Sequence, residues 1–215
     1  MLKMWPPLKN SEEMQEIPYK ISLYGAGGHA KVIVDILKLN GYIIGAIFED
    51  YSTVTELLNH KVIHVMDQEI MKMDWIMAIG NNHIRQKIVQ NNHLRFTKLA
   101  HPRATIDTTV LWGEGTVIMA GAVVNSDAII GRHVIINTGA CVDHDCQIGD
   151  FCHIAPNSTL CGSVKVGEGT LVGAGATIIP GVSVGKWCIV GAGSVVIHDI
   201  DDNQTVVGNP ARKVK

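Results

Sequence analysis

The chain lacks the excess of basic residues that nucleic acids and anionic membranes select. Lys and Arg number 18 against 20 Asp and Glu, for a formal charge of −2. Because such partners require a positive surface, we expect neither a nucleic acid nor a membrane as a partner. Phe, Tyr and Trp together make up only 5% of the 215 residues, whereas Gly occurs 22 times. Few rings, many glycines and an apolar share of 47% favour a tightly turned β structure with a sizeable core.

Long apolar segments and paired cysteines are also missing. The longest uncharged stretches, such as residues 169–185, are interrupted by Gly and Pro180, so no transmembrane helix is expected. The five cysteines form no C-x-x-C pair, and residues 1–18 contain Pro6, Pro7 and three glutamates where a signal peptide has an apolar core. We therefore expect a soluble protein of a reducing compartment, the cytoplasm.

A six-residue repeat dominates the second half of the sequence. Every sixth residue from Ile106 to Val196 is apolar, sixteen positions in all. At this composition such a run arises by chance with a probability of roughly one in 10⁵. A column of small residues lies two positions before each of these, from Ala104 to Ser194. Two inward positions at i and i+2 define a short strand, and Gly, Asn and Asp at other positions suit tight corners.

A strand and a corner every six residues close most simply into a three-sided coil of 18 residues. Successive coils then stack at the usual strand spacing of about 4.8 Å. Hexapeptide repeats of this kind are typical of a parallel β-helix, here with about five coils. Three cysteines of the small column are interpreted as core residues, not as ligands or nucleophiles: Cys146, Cys152 and Cys188.

Residues 20–100 follow a different, α/β pattern. Strand-like segments at 20–24, 43–48 and 75–79 alternate with helical spacing at 31–38 and around Arg85. This alternation indicates βαβ organisation and hence a small parallel sheet.

A glycine fingerprint follows the first of these strands. Gly25, Gly27 and Ala30 satisfy G-x-G-x-x-(G/A), and Glu49 and Asp50 follow about twenty residues later. The physical interpretation is a helix N-terminus that offers free N–H groups to a phosphate; the alternative is a tight strand-to-helix turn without a ligand. About 80 residues supply one mononucleotide half, so a nucleotide-type ligand is expected and NAD is not.

Five segments, in this order along the chain, resemble a family of sugar acyltransferases. The family includes sialic acid O-acetyltransferases and, closer to this chain, perosamine N-acetyltransferases and the UDP-4-amino-sugar N-acetyltransferases of bacillosamine synthesis. The segments are residues 24–29 (YGAGGH), 78–82 (AIGNN) with Arg85, 137–145 (NTGACVDHD), 153–156 (HIAP) and 207–212 (VGNPAR). The resemblance covers residues 20–215, and the leading residues depart from it.

The resemblance implies a fold and a domain order. Residues 1–19 form an N-terminal extension, and residues 20–100 form a Rossmann-like domain that binds a nucleotide sugar. Residues 101–215 form an all-β, left-handed parallel β-helix with a C-terminal tail, which is the acetyltransferase domain.

The resemblance also implies a reaction, acetyl-CoA-dependent N-acetylation of a nucleotide-linked amino sugar. Its general base is His144, and an imidazole that titrates near neutral pH suits removal of a proton from an amine. Asp145, which replaces the Glu of some relatives, either orients the ring or raises its basicity. His153 is expected at the thioester end, with main chain along the pantetheine near Gly162, Gly173 and Ala174.

The sugar nucleotide is expected in the N-terminal half. The implied contacts are Gly27, Gly28, His29, Glu49, Asp50 and Asn81. Two alternatives to N-acetylation remain: O-acetylation of a free sugar such as sialic acid, and a β-helix that serves as a non-catalytic scaffold.

The register of the repeat adds a statement about assembly. His144 lies on a corner and His153 points outward from a face, and nine residues separate them, which is half of an 18-residue coil. The two rings therefore stand on opposite sides of one subunit. They serve one site only if a neighbouring subunit supplies one of them, which fits the homotrimer that the resemblance implies.

A metal site of the kind found in β-helical carbonic anhydrases, with three histidines between subunits, is the remaining alternative. Spacings of 32, 11, 9 and 45 residues separate the histidines available, which are His101, His133, His144, His153 and His198. No close ligand pair occurs among them, so we expect no metal. His133 and His198 match no motif and are expected on the surface.

Overall fold

The structure is a computed structural model that describes residues 19–214. The expected N-terminal extension, residues 1–19, therefore lies outside the described residues except for Tyr19. An α/β domain comes first. Its strands are β1 (Lys20–Tyr24), β2 (Ile43–Phe48), β3 (Glu56–Leu57), β4 (His60–Ile63), β5 (Asp74–Met77) and β6 (Arg95–Phe96). Its helices are α1 (Gly28–Leu39), α2 (Gln68–Met71) and α3 (Asn82–Asn91).

The six strands form one sheet in the order β3-β4-β2-β1-β5-β6. β3 and β4 pair antiparallel, and the other neighbours pair parallel, as the βαβ pattern predicted. Ile33, Val34 and Leu37 of α1 are buried, and their i, i+1, i+4 spacing places them on one helix face. The β3–β4 hairpin was not predicted: Leu58 and Asn59 turn it with φ values of 48° and 65°, which leucine rarely adopts.

Nineteen short strands follow. They are β7 (Leu99–Ala100), β8 (Thr105–Ile106), β9 (Leu111–Trp112), β10 (Val117–Ile118), β11 (Val123–Val124), β12 (Ile129–Ile130), β13 (Ile135–Ile136), β14 (Cys141–Val142), β15 (Gln147–Ile148), β16 (His153–Ile154), β17 (Thr159–Leu160), β18 (Lys165–Val166), β19 (Leu171–Val172), β20 (Thr177–Ile178), β21 (Ser183–Val184), β22 (Ile189–Val190), β23 (Val195–Val196), β24 (Thr205–Val207) and β25 (Arg212–Lys213).

Three parallel sheets form the sides of the coil. The first face runs β7-β10-β13-β16-β19-β22-β24, the second β8-β11-β14-β17-β20-β23, and the third β9-β12-β15-β18-β21. Each step along a face is 18 residues, as in Ile135 beside His153 and His153 beside Leu171, except the step from β22 to β24, where Thr205 pairs with Ile189 after 16 residues. The parallel β-helix predicted from the hexad is confirmed, and it begins with β7, one repeat before Ile106.

Both inward columns fill the interior. The apolar column is buried from Ile118 to Val196, and the small column from Val110 to Ser194. Cys146, Cys152 and Cys188 are free and buried, as predicted. Burial raises the pKa of Cys146 to about 11 and that of Cys152 to about 12, so these thiols stay protonated and unreactive at neutral pH.

The corners follow the same period. Every sixth residue from Gly115 to Gly193 has a φ between 54° and 76°. Half of these fourteen positions are glycine; the others include His133, Phe151 and Trp187. The period of the coil therefore imposes the left-handed conformation even on residues that rarely adopt it.

The α/β domain packs on the first face. Ile33 and Leu37 of α1 share one apolar cluster with Val117 and Ile135 of the β-helix. The loop that follows β5 thereby lies beside β16, which contains His153. Within residues 19–214, no helix combines the length and the hydropathy needed to cross a bilayer.

Candidate active site

The turn between β1 and α1 has the geometry of a ligand-binding loop. Gly25 has a φ of +113°, and a Cβ there would lie 2.9 Å from the carbonyl oxygen of Ala78, so the fold itself requires glycine. A Cβ on Gly27 or Gly28 would meet nothing within 4 Å, and neither residue is left-handed. Packing does not require glycine at these two positions, which leave the start of α1 open to a ligand.

The acidic pair divides into two roles. Glu49 is buried, and its carboxylate accepts the N–H of Ala26 at 3.0 Å and that of Tyr51 at 2.8 Å. Asp50 is exposed and accepts the Tyr24 hydroxyl at 2.9 Å. Burial, and then this contact, raise the pKa of Tyr24. Glu49 thus holds the main chain of the glycine turn, while Asp50 presents its carboxylate to solvent.

His153 lies on the first face with both ring nitrogens engaged. Nδ1 lies 3.3 Å from the carbonyl oxygen of Gly80, and Nε2 lies 2.9 Å from the side-chain amide of Asn137. A carbonyl only accepts, so Nδ1 holds the proton and Nε2 accepts from the Asn137 amide. Burial, and then the charge of Arg85, lower the pKa of His153 to about 4. The ring is therefore neutral at physiological pH, and its low pKa makes it a weaker proton acceptor than an ordinary imidazole.

His29 joins this group from the first turn of α1. Its Nε2 is buried and has no hydrogen-bond partner among the described residues. Burial, followed by the proximity of His153 and Arg85, lowers its pKa to about 4. The free protein thus leaves one hydrogen bond of a buried nitrogen unsatisfied next to the glycine turn.

His144 has the opposite environment. It lies on the corner between the second and third faces, with its side chain 58% exposed, and its Nδ1 lies 2.7 Å from Oδ2 of Asp145. Asp143 accepts the main-chain N–H of His144 at 2.9 Å. The hydrogen bond to Asp145, and then the charge of Asp143, raise the pKa of His144. Pairing of Nδ1 with a carboxylate leaves Nε2 as the basic atom, directed away from the pair.

Gly162 lies under the His144 ring, one coil further along. A Cβ on Gly162 would be 2.6 Å from both Cε1 and Nε2 of His144. Gly173 is buried against the next coil and Ala174 is exposed; both lie on the corner between the first and second faces. Asn81 caps α3, where its Oδ1 accepts the N–H of Ile84 at 3.0 Å.

The structure therefore brings together His29, the loop at Gly80 and His153, and it keeps His144 apart. A corner between the second and third faces is the vertex opposite the first face, so His144 and His153 stand on opposite sides of one subunit, as the register predicted. Asn137 and Arg85 have roles here that the sequence pattern did not predict. Both lie inside segments that resemble the family, and that is the signal that could have found them.

The expectation that His133 is a surface residue is wrong. His133 is 3% exposed, stacks on Phe151 with ring centroids 5.2 Å apart, and meets Phe96 edge-on. Its corner faces the α/β domain, which covers it. Burial lowers its pKa to about 4, and its Nδ1 has no partner among residues 19–214. His198 is exposed, as predicted.

Across residues 19–214, no three side chains of His, Cys, Asp or Glu are grouped so that they could hold a metal ion.

Comparisons with known proteins match both parts of the chain. Residues 20–92 match the PglD N-terminal domain family, and residues 163–198 match the bacterial transferase hexapeptide (six repeats) family. A UDP-N-acetylbacillosamine N-acetyltransferase of Bacillus subtilis (strain 168) is 40% identical over 110 residues, which cover 46% of this chain and 51% of that protein. The match thus spans about half the length of this curated relative.

Solved structures match over nearly the whole chain. A mutant perosamine N-acetyltransferase from Caulobacter crescentus, in complex with CoA and GDP-perosamine, is 38% identical with a TM-score of 0.84, covering 91% of this chain and 97% of that one. The acetyltransferase domain of PglB from Neisseria gonorrhoeae FA1090, in complex with acetyl coenzyme A, is 36% identical with a TM-score of 0.84, covering 92% and 100%.

Proposed function

The chain belongs to the hexapeptide-repeat family of amino-sugar N-acetyltransferases, and from that premise we propose that it transfers an acetyl group from acetyl-CoA to the amino group of a nucleotide-linked amino sugar. The observation that supports this most directly is the pairing of His144 with Asp145 at 2.7 Å, which leaves Nε2 free as a base. The family resemblance expected from the sequence motifs is confirmed.

In the proposed reaction, the amine nitrogen of the sugar attacks the carbonyl carbon of the thioester. Nε2 of His144 accepts the proton that the amine loses, and Asp145 stabilises the imidazolium that forms. Collapse of the tetrahedral adduct breaks the carbon–sulfur bond, and the same proton returns to the departing thiolate. The neutral ring of His153 contacts the thioester end without exchanging a proton.

Binding of the sugar nucleotide is proposed at the glycine turn. Gly27 and Gly28 leave room for a phosphate at the start of α1, Asp50 is available for the base or ribose, and His29 offers an unpartnered nitrogen. Glu49 is proposed to act indirectly, since its oxygens already hold Ala26 and Tyr51. Asn81, the N-cap of α3, is proposed as a further contact of the sugar nucleotide. Acetyl-CoA is proposed to follow the corner with Gly173 and Ala174.

The active unit is proposed to be a homotrimer with sites between subunits. His144 of one subunit then completes the site that contains His153 and His29 of its neighbour, because one subunit cannot bring the two together. The proposed location is the cytoplasm; the five free cysteines are consistent with a reducing compartment.

The test is a measurement of CoA thiol release with a panel of acceptors. We expect turnover with a UDP-, GDP- or dTDP-linked amino sugar, an acetamide product by mass spectrometry, and no loss of rate in excess EDTA. Turnover with free sialic acid and an ester product would establish O-acetylation instead. If no acceptor releases CoA and calorimetry detects no acetyl-CoA binding, the chain is a non-catalytic scaffold.

A further inference from the structure

Arg85 is a buried cation that pairs with no carboxylate among the described residues. Its side chain belongs to α3 and is 1% exposed. Nε donates to the carbonyl of His133 at 2.9 Å, and Nη1 to those of Ile79 at 3.0 Å and Gly80 at 3.2 Å. Nη2 donates to Oδ1 of Asn82 at 2.9 Å and to the carbonyls of Phe151 at 2.7 Å and Cys152 at 3.3 Å.

These partners come from both domains. Ile79 and Gly80 lie in the loop between β5 and α3, and Asn82 begins α3, whereas Phe151 and Cys152 lie in the β-helix. Burial lowers the pKa of Arg85 to about 10, so the group remains charged at neutral pH. A buried charge without a counterion costs free energy, and here neutral carbonyl dipoles alone compensate it. Stability by itself would be served as well by an apolar contact, which suggests a further role.

Two of the carbonyl groups that Arg85 binds, those of Gly80 and Cys152, adjoin His153. Cys152 immediately precedes His153 in the chain. The Gly80 oxygen accepts from the Arg85 guanidinium at 3.2 Å and from Nδ1 of His153 at 3.3 Å. Arg85 therefore contacts both the main chain that leads into His153 and the acceptor that determines which ring nitrogen is protonated.

We propose that Arg85 is a positioning residue for acetyl transfer, which holds His153 as the Nδ1–H tautomer through the Gly80 carbonyl and the main chain at Phe151 and Cys152. This inference rests on the proposed function, in which His153 meets the thioester end of acetyl-CoA. With the proton fixed on Nδ1, Nε2 is an acceptor for the Asn137 amide at 2.9 Å, and the ring plane is defined from both ends.

Lysine cannot replace arginine in this arrangement. The guanidinium offers five donors in a planar fork, and the structure uses them on six acceptors around the group. An ammonium has three donors on a single nitrogen, so Arg85→Lys keeps the charge but cannot reach both domains at once.

The first experiment needs no variant at Arg85 and no activity. Imidazole ¹⁵N NMR of the wild-type protein, with the His153 signals assigned by their loss in His153→Gln, reports the tautomer directly. We expect a protonated Nδ1 and an unprotonated Nε2. An Nε2–H tautomer, or rapid exchange between the two, would overturn the proposal and leave the proposed acetyltransferase function untouched.

The second experiment compares Arg85→Lys with Arg132→Lys. Arg132 is exposed, precedes the His133 whose carbonyl Arg85 binds, and pairs with Asp150 at 2.8 Å, so it is a matched control. We expect Arg85→Lys to lower kcat at least about 10-fold, to change each KM less than about 3-fold, and to give mixed His153 tautomers. The control should match the wild type. A lower melting temperature with wild-type kcat and an unchanged tautomer would show that Arg85 is only structural.

Discussion

The imidazole of His144 lies directly over Gly162 of the next coil, where a Cβ would stand 2.6 Å from its Nε2. The two residues are separated by 18 positions, one turn of the β-helix, so the period of the fold itself creates this contact. A glycine at residue 162 therefore leaves space for the ring in the orientation that Asp145 imposes.

Gly162→Ala is expected to displace the His144 ring and lower kcat roughly 10²-fold, within the range for loss of a general base. The exposed ring can rotate away, so stability should change little. Gly181→Ala is the control, because a Cβ there meets nothing within 4 Å although its φ is +76°. It should cost about 1 kcal/mol of stability and leave kcat unchanged. Steady-state kinetics measure the change in kcat, and melting curves measure the change in stability. A wild-type kcat in Gly162→Ala would contradict the proposal that Gly162 leaves room for the catalytic orientation of the His144 ring.

Asp145→Asn is expected to shift the acid limb of the pH profile of kcat/KM to lower pH. Asp145 raises the pKa of His144, and the base must be neutral to act, so removal of the carboxylate extends activity downward in pH. Asn tolerates the φ of 59° at this corner. Asp127→Asn is a matched control, since Asp127 has the same φ one coil earlier. An acid limb that stays in place would show that Asp145 does not raise the pKa of the general base.

The six-residue repeat predicted nearly every strand of the β-helix, because the inward columns fix which residues of each repeat face the interior. The same period sets the positions of the left-handed corners. Residue type alone predicted a positive φ only for Gly, Asn and Asp, and did not predict it for His133 and Phe151. Burial of His133 depends on which corner the α/β domain covers, and no local pattern in the sequence contains that information.

Prediction of the candidate site from the sequence has the same limit. Spacing located Glu49 and Asp50, but only the structure shows that Glu49 accepts the N–H of Ala26 and is not free for a ligand. The contacts of Arg85 with Phe151 and Cys152 span 66 and 67 residues. Pairing at this distance depends on how two domains pack, which hydrophobic periodicity within each domain does not specify.

Gly28→Leu is expected to raise KM for the sugar nucleotide at least about 10-fold and to leave KM for acetyl-CoA nearly unchanged. The side chain would fill the opening where a Cβ now meets nothing within 4 Å, and leucine suits the first position of α1. Lys31→Leu, an exposed change on the same helix, is the control and should alter neither constant. An unchanged nucleotide-sugar KM in Gly28→Leu would place the substrate elsewhere.

Stability is expected to fall as the pH drops from about 6.5 toward 4. His29, His133 and His153 have pKa values of about 4 in the folded chain and about 6.5 when unfolded. Between these values the unfolded chain binds more protons, so each histidine contributes a slope of up to about 1.4 kcal/mol per pH unit.

His133→Phe should flatten this dependence, because it removes one of the three imidazoles that titrate. The variant should fold, because Phe151 occupies the equivalent corner position with a φ of 59°. His198→Gln, at an exposed position, is the control and should keep the wild-type slope. Urea unfolding between pH 4 and 7.5 measures both. An equal slope in His133→Phe and the wild type would mean that His133 is not protonated on unfolding in this range.

Subunit mixing is expected to restore activity if the site is shared. His144→Ala and His153→Ala should each be poorly active alone, the first by roughly 10²–10⁴-fold. In the proposed trimer, each site takes His144 from one subunit and His153 from the next. Random mixing of the two variants in equal amounts then makes about a quarter of the sites intact.

A second mixture separates the shared site from a site within one subunit. Wild type mixed equally with the double variant His144→Ala/His153→Ala should also show about a quarter of full activity when the site is shared, because both partners must be intact. A site within one subunit predicts no recovery in the first mixture and about a half in the second. Since His144 and His153 stand on opposite sides of one β-helix, we expect equal activities in the two mixtures, with subunit exchange verified by mass spectrometry. No activity in the first mixture and about half of full activity in the second would refute the shared site.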